Sequence, residues 1–112
     1  MSSKKPEILI ANGYDNSVIQ PLLYGIEEEE IPFRLIDEPT GKTTIQKAYN
    51  CAVSSQLSVG IAYDNQFVYL HFKNLPVETP LFKVSITDQL NINFLGANAA
   101  RLVKGIPFKE IK

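Results

Sequence analysis

The chain has 112 residues, 45% hydrophobic and 21% charged, enough to build one core and hardly two, in proportions close to those of soluble globular chains. Eleven Lys and Arg against twelve Asp and Glu leave a formal charge of -1, so there is no overall basic field to hold nucleic acid, and no segment reaches the apolar length of a membrane span. One cysteine, Cys51, and one histidine, His71, exclude an internal disulfide and a zinc cluster, leaving a single cytoplasmic domain over residues 1–112 as the expectation.

The run EILIAN at 7–12, closed by Gly13, fits a short buried strand. After the turn residues GYDNS, Ile19, Leu22, Leu23 and Ile26 recur at helical spacing. Asn16 or Ser17 is the expected N-cap, with Pro21 in or near the first turn, where its missing N–H is tolerated. PFRLI at 32–36 reads as the second strand, and the turn-like DEPTG leads to a second helix across 43–54 carrying Ile45, Ala48, Tyr49, Ala52 and Val53. Cys51 falls in that helix as a small apolar residue on its inner face.

LSVGIAY at 57–63 and QFVYLHF at 66–72 are the third and fourth strands, and the turn formers Asp64-Asn65 between them predict an antiparallel hairpin. The short run LFKVSI at 81–86 precedes a last helix within 88–104, stopped by Gly105 with Pro107 beyond it. Strand and helix units that alternate in this way predict an α/β domain: a mostly parallel sheet covered by helices, with an antiparallel edge hairpin.

Few residues carry legible chemistry. GKTT at 41–44 resembles the end of a phosphate loop, but the glycine needed five residues before Gly41 is replaced by Ile36, so a turn and helix cap explain it better. His71 lies within a strand with no nucleophile motif tied to it and reads as structural or partner-facing. Asp15, Asp37, Glu38 and Asp64 all fall in turns, where carboxylates cap or face solvent.

The densest charge sits in an awkward place. Glu27 to Glu30 close the first helix at the negative end of its dipole, where each exposed carboxylate costs about 0.3–1 kcal/mol. At about 100° per residue, a core side of Ile19, Leu22, Leu23 and Ile26 places Glu28 directly opposite, with Tyr24 one turn earlier and Pro21 and Gly25 also outward. That face offers an aromatic ring, a carboxylate and close backbone approach; the plainer alternative is a solvated helix end. On the last helix the stripe Ile92, Leu95, Ala99, Leu102 and Val103 faces the core, and Leu90, Phe94, Ala97, Arg101 and Lys104 lie opposite. An exposed Leu-Phe pair beside two cations fits an interface, unless the helix starts after Phe94. The residues taken alone favour a binding subunit over an enzyme.

The segments GIEEEEIPFRL (25–35), SVGIAYDNQFVYLHFKNLP (58–76) and GANAARLVKGIPF (96–108) resemble the small subunit of the diol dehydratase and glycerol dehydratase reactivating factors, in the same order from the strand at 7–12 to Glu110. LLYGIEEEEIPFRL (22–35) is closer to the diol type. The resemblance implies a flavodoxin-like three-layer domain similar to the medium subunit of the adenosylcobalamin-dependent dehydratase, with no reaction and no cofactor of its own. It implies a chaperone-like role beside a large subunit that carries an Hsp70-like ATPase and binds ATP or ADP, in an assembly of two large and two small subunits. The cycle that the resemblance implies is one in which the small subunit leaves, the dehydratase medium subunit takes its place, damaged cobalamin is released, and ATP hydrolysis resets the assembly. The dehydratase large subunit is then the second partner, in the cytoplasm or a bacterial microcompartment.

The same resemblance assigns Glu28, as the second glutamate of the GIEE motif, to a divalent metal ion, magnesium, at the contact with the large subunit. Tyr24, Phe94 and Arg101 join it as expected interface residues. Glu30 departs from the pattern, standing where the family usually has glycine, so a left-handed helix cap there lacks its usual residue and carries roughly 1–2 kcal/mol of strain. The alternatives are the dehydratase medium subunit itself or a related adaptor, against which the chain length speaks, and a flavodoxin-like small-molecule binder or enzyme, which needs a phosphate loop or an acid–base pair.

Overall fold

A computed structural model describes residues 5–37 and 41–111 of the chain; the assignment of Glu38 to a turn lies outside the described residues. In chain order the elements are β1 (Ile8–Ala11), a 3-10 turn (Asn16–Ile19), α1 (Gln20–Glu28), β2 (Phe33–Ile36), α2 (Thr44–Ser54), β3 (Val59–Tyr63), β4 (Phe67–Phe72), β5 (Phe82–Ser85) and α3 (Gln89–Lys104). They form one five-stranded sheet in the order β2-β1-β3-β4-β5. β1 is parallel to β2 and β3, while β4 runs antiparallel to β3 and to β5. The Asp64-Asn65 hairpin is therefore present, but β5 pairs outside β4 and forms the sheet edge.

Alternation along the strands sorts the core into two layers. Ile8 and Ile10 of β1, Val59 and Ile61 of β3, and Val68 and Leu70 of β4 join Leu22, Ile26, Ile92 and Leu95 of α1 and α3. Leu9, Ala11, Ala62 and Tyr69 point the other way, against Ala48 and Cys51 of α2. Period-2 side chains on strands covered on both faces account for this split and for a β1 that is buried at every position. Gly60 lets α2 lie directly on the sheet, since a Cβ there would run into the Ala48 carbonyl and the Ala52 amide.

Gly25 does not point outward. It is buried where α1 crosses α3: a Cβ on Gly25 would meet the Asn93 carbonyl, and one on Gly96 would meet the Leu22 carbonyl. A helical wheel gives glycine no side, and the close approach of two backbones decides its position. Asn93 Nδ2 reinforces the crossing by donating to the Pro21 carbonyl at 3.0 Å.

The helix starts follow local capping, with one correction. Asp15, not Asn16 or Ser17, is the cap: its carboxylate accepts from the Ser17 amide at 3.1 Å and hydroxyl at 2.7 Å, opening the 3-10 turn that feeds α1. Pro21 sits in the first turn of α1. Thr43 of the GKTT run caps α2 by accepting from the Gln46 amide at 3.1 Å, and Gln46 Oε1 accepts from the Lys42 amide at 2.8 Å. Asp88 caps α3, which starts at Gln89, so Leu90 and Phe94 are both helical. Gly105, at φ 71°, ends α3, with the Ile106 amide returning to the Arg101 carbonyl at 3.1 Å.

His71 and Cys51 are both committed to the α2 side. His71 is fully buried, edge-on to Tyr49 with ring centroids 5.1 Å apart. Its Nδ1 accepts from the Phe72 amide at 3.0 Å, which leaves the proton on Nε2 to donate to the Val77 carbonyl at 2.9 Å and tie down the β4–β5 connection. Burial pushes the Cys51 thiol up to about 12, far from the thiolate a nucleophile needs. Among the described residues no helix is long and apolar enough to cross a membrane.

Candidate functional site

Open α/β sheets usually bind ligands outside the carboxyl ends of strands that diverge in topology, here β1 and β3. That crevice is filled by the chain itself. The Tyr63 ring lies so close under Gly13 that a Cβ there would overlap it, and its hydroxyl donates to Asn16 Oδ1 at 2.8 Å and accepts from the Asp15 amide at 3.2 Å. Asn16 Nδ2 donates to Asn12 Oδ1 at 2.9 Å, and Asn12 Nδ2 to Asp37 Oδ1 at 2.7 Å. At the neighbouring hairpin, Asp64 accepts from the Gln66 and Phe67 amides and from the Thr44 hydroxyl. Against the burial that raises it, these bonds hold the Asp64 carboxyl below its ordinary value. Asp15 and Asp64 thus act as structural caps of their turns.

The second place is where α1 and α3 end side by side. The four glutamates there have different fates. Glu29, the C-cap of α1, has a side chain only 12% exposed and is gripped by both cations of α3. Arg101 Nε donates to its Oε2 at 3.0 Å, and Lys104 Nζ to its Oε1 at 2.7 Å. Lys104 Nζ also reaches the Glu29 carbonyl at 3.1 Å, neutralising an orphan acceptor at the negative helix end. The Lys104 hydrogen bond, then the Arg101 contact, outweigh burial and hold the Glu29 carboxyl below its ordinary value.

Glu27, Glu28 and Glu30 are exposed, and the Glu28 side chain makes no hydrogen bond or ion pair among the described residues. Tyr24, one turn before it, is 55% exposed. Glu30 keeps the left-handed conformation at φ 64°, so the backbone retains the geometry that glycine would favour. Tyr24 and Glu28 thus share an open face of α1, as the helical phase predicts.

The α3 residues lie differently. Leu90 is 64% exposed, but Phe94 is half-buried with Lys109 Nζ 5.2 Å from its ring centroid. The segment after Gly105 folds back over this side of α3. Buried Asn98 grips the Lys109 backbone at both ends, accepting from its amide at 2.6 Å and donating to its carbonyl at 2.9 Å. Arg101 Nη1 donates to the Pro107 carbonyl at 3.1 Å, and Phe108 packs edge-on against Phe82. The expected exposed Leu-Phe pair reduces to Leu90, and Arg101 faces Glu29 and Pro107.

Among the described residues, no group of three or more His, Cys, Asp or Glu side chains is assembled to hold a metal. Glu28 provides one exposed hard oxygen ligand at the end of α1, which fits a divalent cation only if ligands from outside this chain complete the shell.

The sequence profile of the family described as "Dehydratase medium subunit" matches residues 5–109. A Klebsiella michiganensis protein, "Diol dehydratase-reactivating factor small subunit", is 45% identical over 105 residues, covering 93% of this chain and 82% of its own. The chain is a member of the dehydratase-reactivating factor small subunits. A Salmonella typhimurium member, "Propanediol dehydratase-reactivating factor small subunit", is 46% identical over 96 residues, covering 85% of this chain and 82% of its own. The fold agrees with a solved reactivating-factor structure, that of a diol dehydratase-reactivating factor complexed with ADP and Mg2+, at 44% identity and a TM-score of 0.83 over 97% of this chain and 100% of the matched one. The reactivating-factor likeness thus spans both the filled crevice and the α1–α3 end.

Proposed function

We propose that this small subunit acts by exchange: it occupies a site on the large reactivating-factor subunit, yields that site to the medium subunit of an inactivated adenosylcobalamin-dependent dehydratase, and so lets damaged cobalamin leave. The large subunit carries the ATPase and binds ATP or ADP; this chain contributes shape and charge and no catalytic residue. Its match to the dehydratase medium subunit family over residues 5–109 carries the proposal, because two proteins with one fold can compete for one docking site. The filled crevice between β1 and β3 favours this reading over a small-molecule binder.

Glu28 is assigned to a magnesium ion shared with the large subunit, which would supply the positive charge that a carboxylate at this helix end lacks. Tyr24 flanks it as an aromatic contact; half-buried Phe94 and Arg101 contribute to the contact together with the segment after Gly105 that folds over them. The assembly is two large and two small subunits, in the cytoplasm or a microcompartment.

Co-expression with the large subunit, followed by size-exclusion chromatography in magnesium with ADP or ATP, tests this. A hetero-oligomer that releases this chain on adding inactivated dehydratase is the expected result; separate peaks under every condition would overturn it.

A further inference from the structure

The Glu29 clamp raises a question that the metal assignment leaves open. Two neighbouring glutamates, Glu27 on α1 and Glu30 just beyond it, are exposed, and each could compete with Glu28 for a cation or a basic surface. A fourth equivalent carboxylate would make the site less defined. Instead Glu29 is withdrawn, held by Arg101 at 3.0 Å and Lys104 at 2.7 Å, while Lys104 also holds the Glu29 carbonyl. The next residue, Glu30, takes the left-handed turn at φ 64° without the glycine that would make it easy. The last turn of α1 is thus fixed from α3 by charge-assisted bonds to one side chain and one carbonyl, below the close crossing at Gly25 and Gly96.

We infer that Glu29, with Arg101 and Lys104, is a positioning cluster: it fixes the last turn of α1 so that the Glu28 carboxylate meets a divalent cation and the partner surface in one orientation. The inference rests on the proposed metal role of Glu28. A metal ligand set tolerates little misplacement, so loosening the turn weakens metal-dependent association even though Glu29 touches neither metal nor partner. The cluster also separates the two kinds of carboxylate, with Glu29 satisfied inside the chain and Glu28 left for an outside cation.

The test measures association with the large subunit by titration calorimetry across a magnesium series, at a temperature where circular dichroism shows every variant folded. Wild type, Glu28→Ala, Glu29→Gln, Lys104→Ala and Lys104→Arg are compared. Glu29→Gln and Lys104→Ala are expected to raise the magnesium concentration for half-maximal association by about tenfold, a misplacement worth about 1.4 kcal/mol. Lys104→Arg, which keeps the charge and a donor to Glu29, restores the wild-type midpoint. A purely stabilising cluster would lower the melting temperature and leave the midpoint in place, and that result overturns the inference. If Glu28→Ala also leaves the midpoint unchanged, the metal assignment fails first; if Glu28→Ala moves it and Glu29→Gln does not, only the positioning role fails.

Discussion

The two ends of this molecule treat their polar groups in opposite ways. At the carboxyl ends of β1 and β3, Tyr63, Asn12, Asn16 and Asp37 satisfy one another and fill the crevice that other open α/β sheets use for ligands. At the joined ends of α1 and α3, one carboxylate is satisfied by two cations and its neighbour Glu28 is left bare. Both regions carry exposed acidic residues, so charge alone does not tell them apart. The difference lies in whether the chain supplies the partners, and this divides stability from binding: damage at the crevice should unfold, and damage at Glu28 should uncouple.

The sharpest break in that division is Tyr63→Ala. Removing a buried ring and its hydroxyl should lower stability by about 3–5 kcal/mol in urea unfolding, while association with the large subunit persists wherever the variant is still folded. Loss of association in folded Tyr63→Ala would mean that the crevice is also a partner surface. Gly25→Ala comes next, because its methyl must push α1 and α3 apart; overpacking of this kind is expected to cost about 1–3 kcal/mol and to weaken association as well, since the platform under Glu28 shifts.

Glu30→Gly should act in the other direction, gaining roughly 1 kcal/mol by relieving the left-handed backbone at φ 64° with little change in association. A neutral or destabilising result in thermal melts would show that the Glu30 side chain compensates the strain. The smallest effect is expected on acidification. Because the Glu29 carboxyl titrates below its ordinary value of 4.5 in the folded chain, the stability it lends is present above that value and is lost as pH falls through the lower folded one. Urea unfolding of wild type and Glu29→Gln across that range should converge at its acid end; parallel curves would show that the clamp contributes no pH dependence.

Much of the fold was legible because the signals are local. The 3.6-residue period of α1 and α3, the Asp64-Asn65 turn and the Gly105 stop each involve residues within a few positions of one another, and each element lies where those residues predict. Helical phase also separated Glu28 from the core correctly. It could not find the Glu29 clamp, since Arg101 and Lys104 stand 72 and 75 positions away and nothing near Glu29 announces them. The covering of Phe94 and Arg101 was hidden for a different reason, since its partners are near in sequence: Asn98 reads as one polar residue on an otherwise small-residue stretch until its amide is seen holding Lys109. Gly25 was misplaced because the wheel weighs side chains, and here the absence of one matters. The cap at Asp15 was missed because a 3-10 turn precedes α1 and moves the capping position back.

The lone cysteine has a practical consequence of a different kind. Cys51 is sealed between α2 and the sheet with its thiol pushed up to about 12, so it can react with a thiol reagent only when α2 lifts away. Its labelling rate is a built-in clock for that opening. Run with and without the large subunit, the same clock would report whether the proposed docking at the far ends of α1 and α3 tightens the opposite face of the sheet.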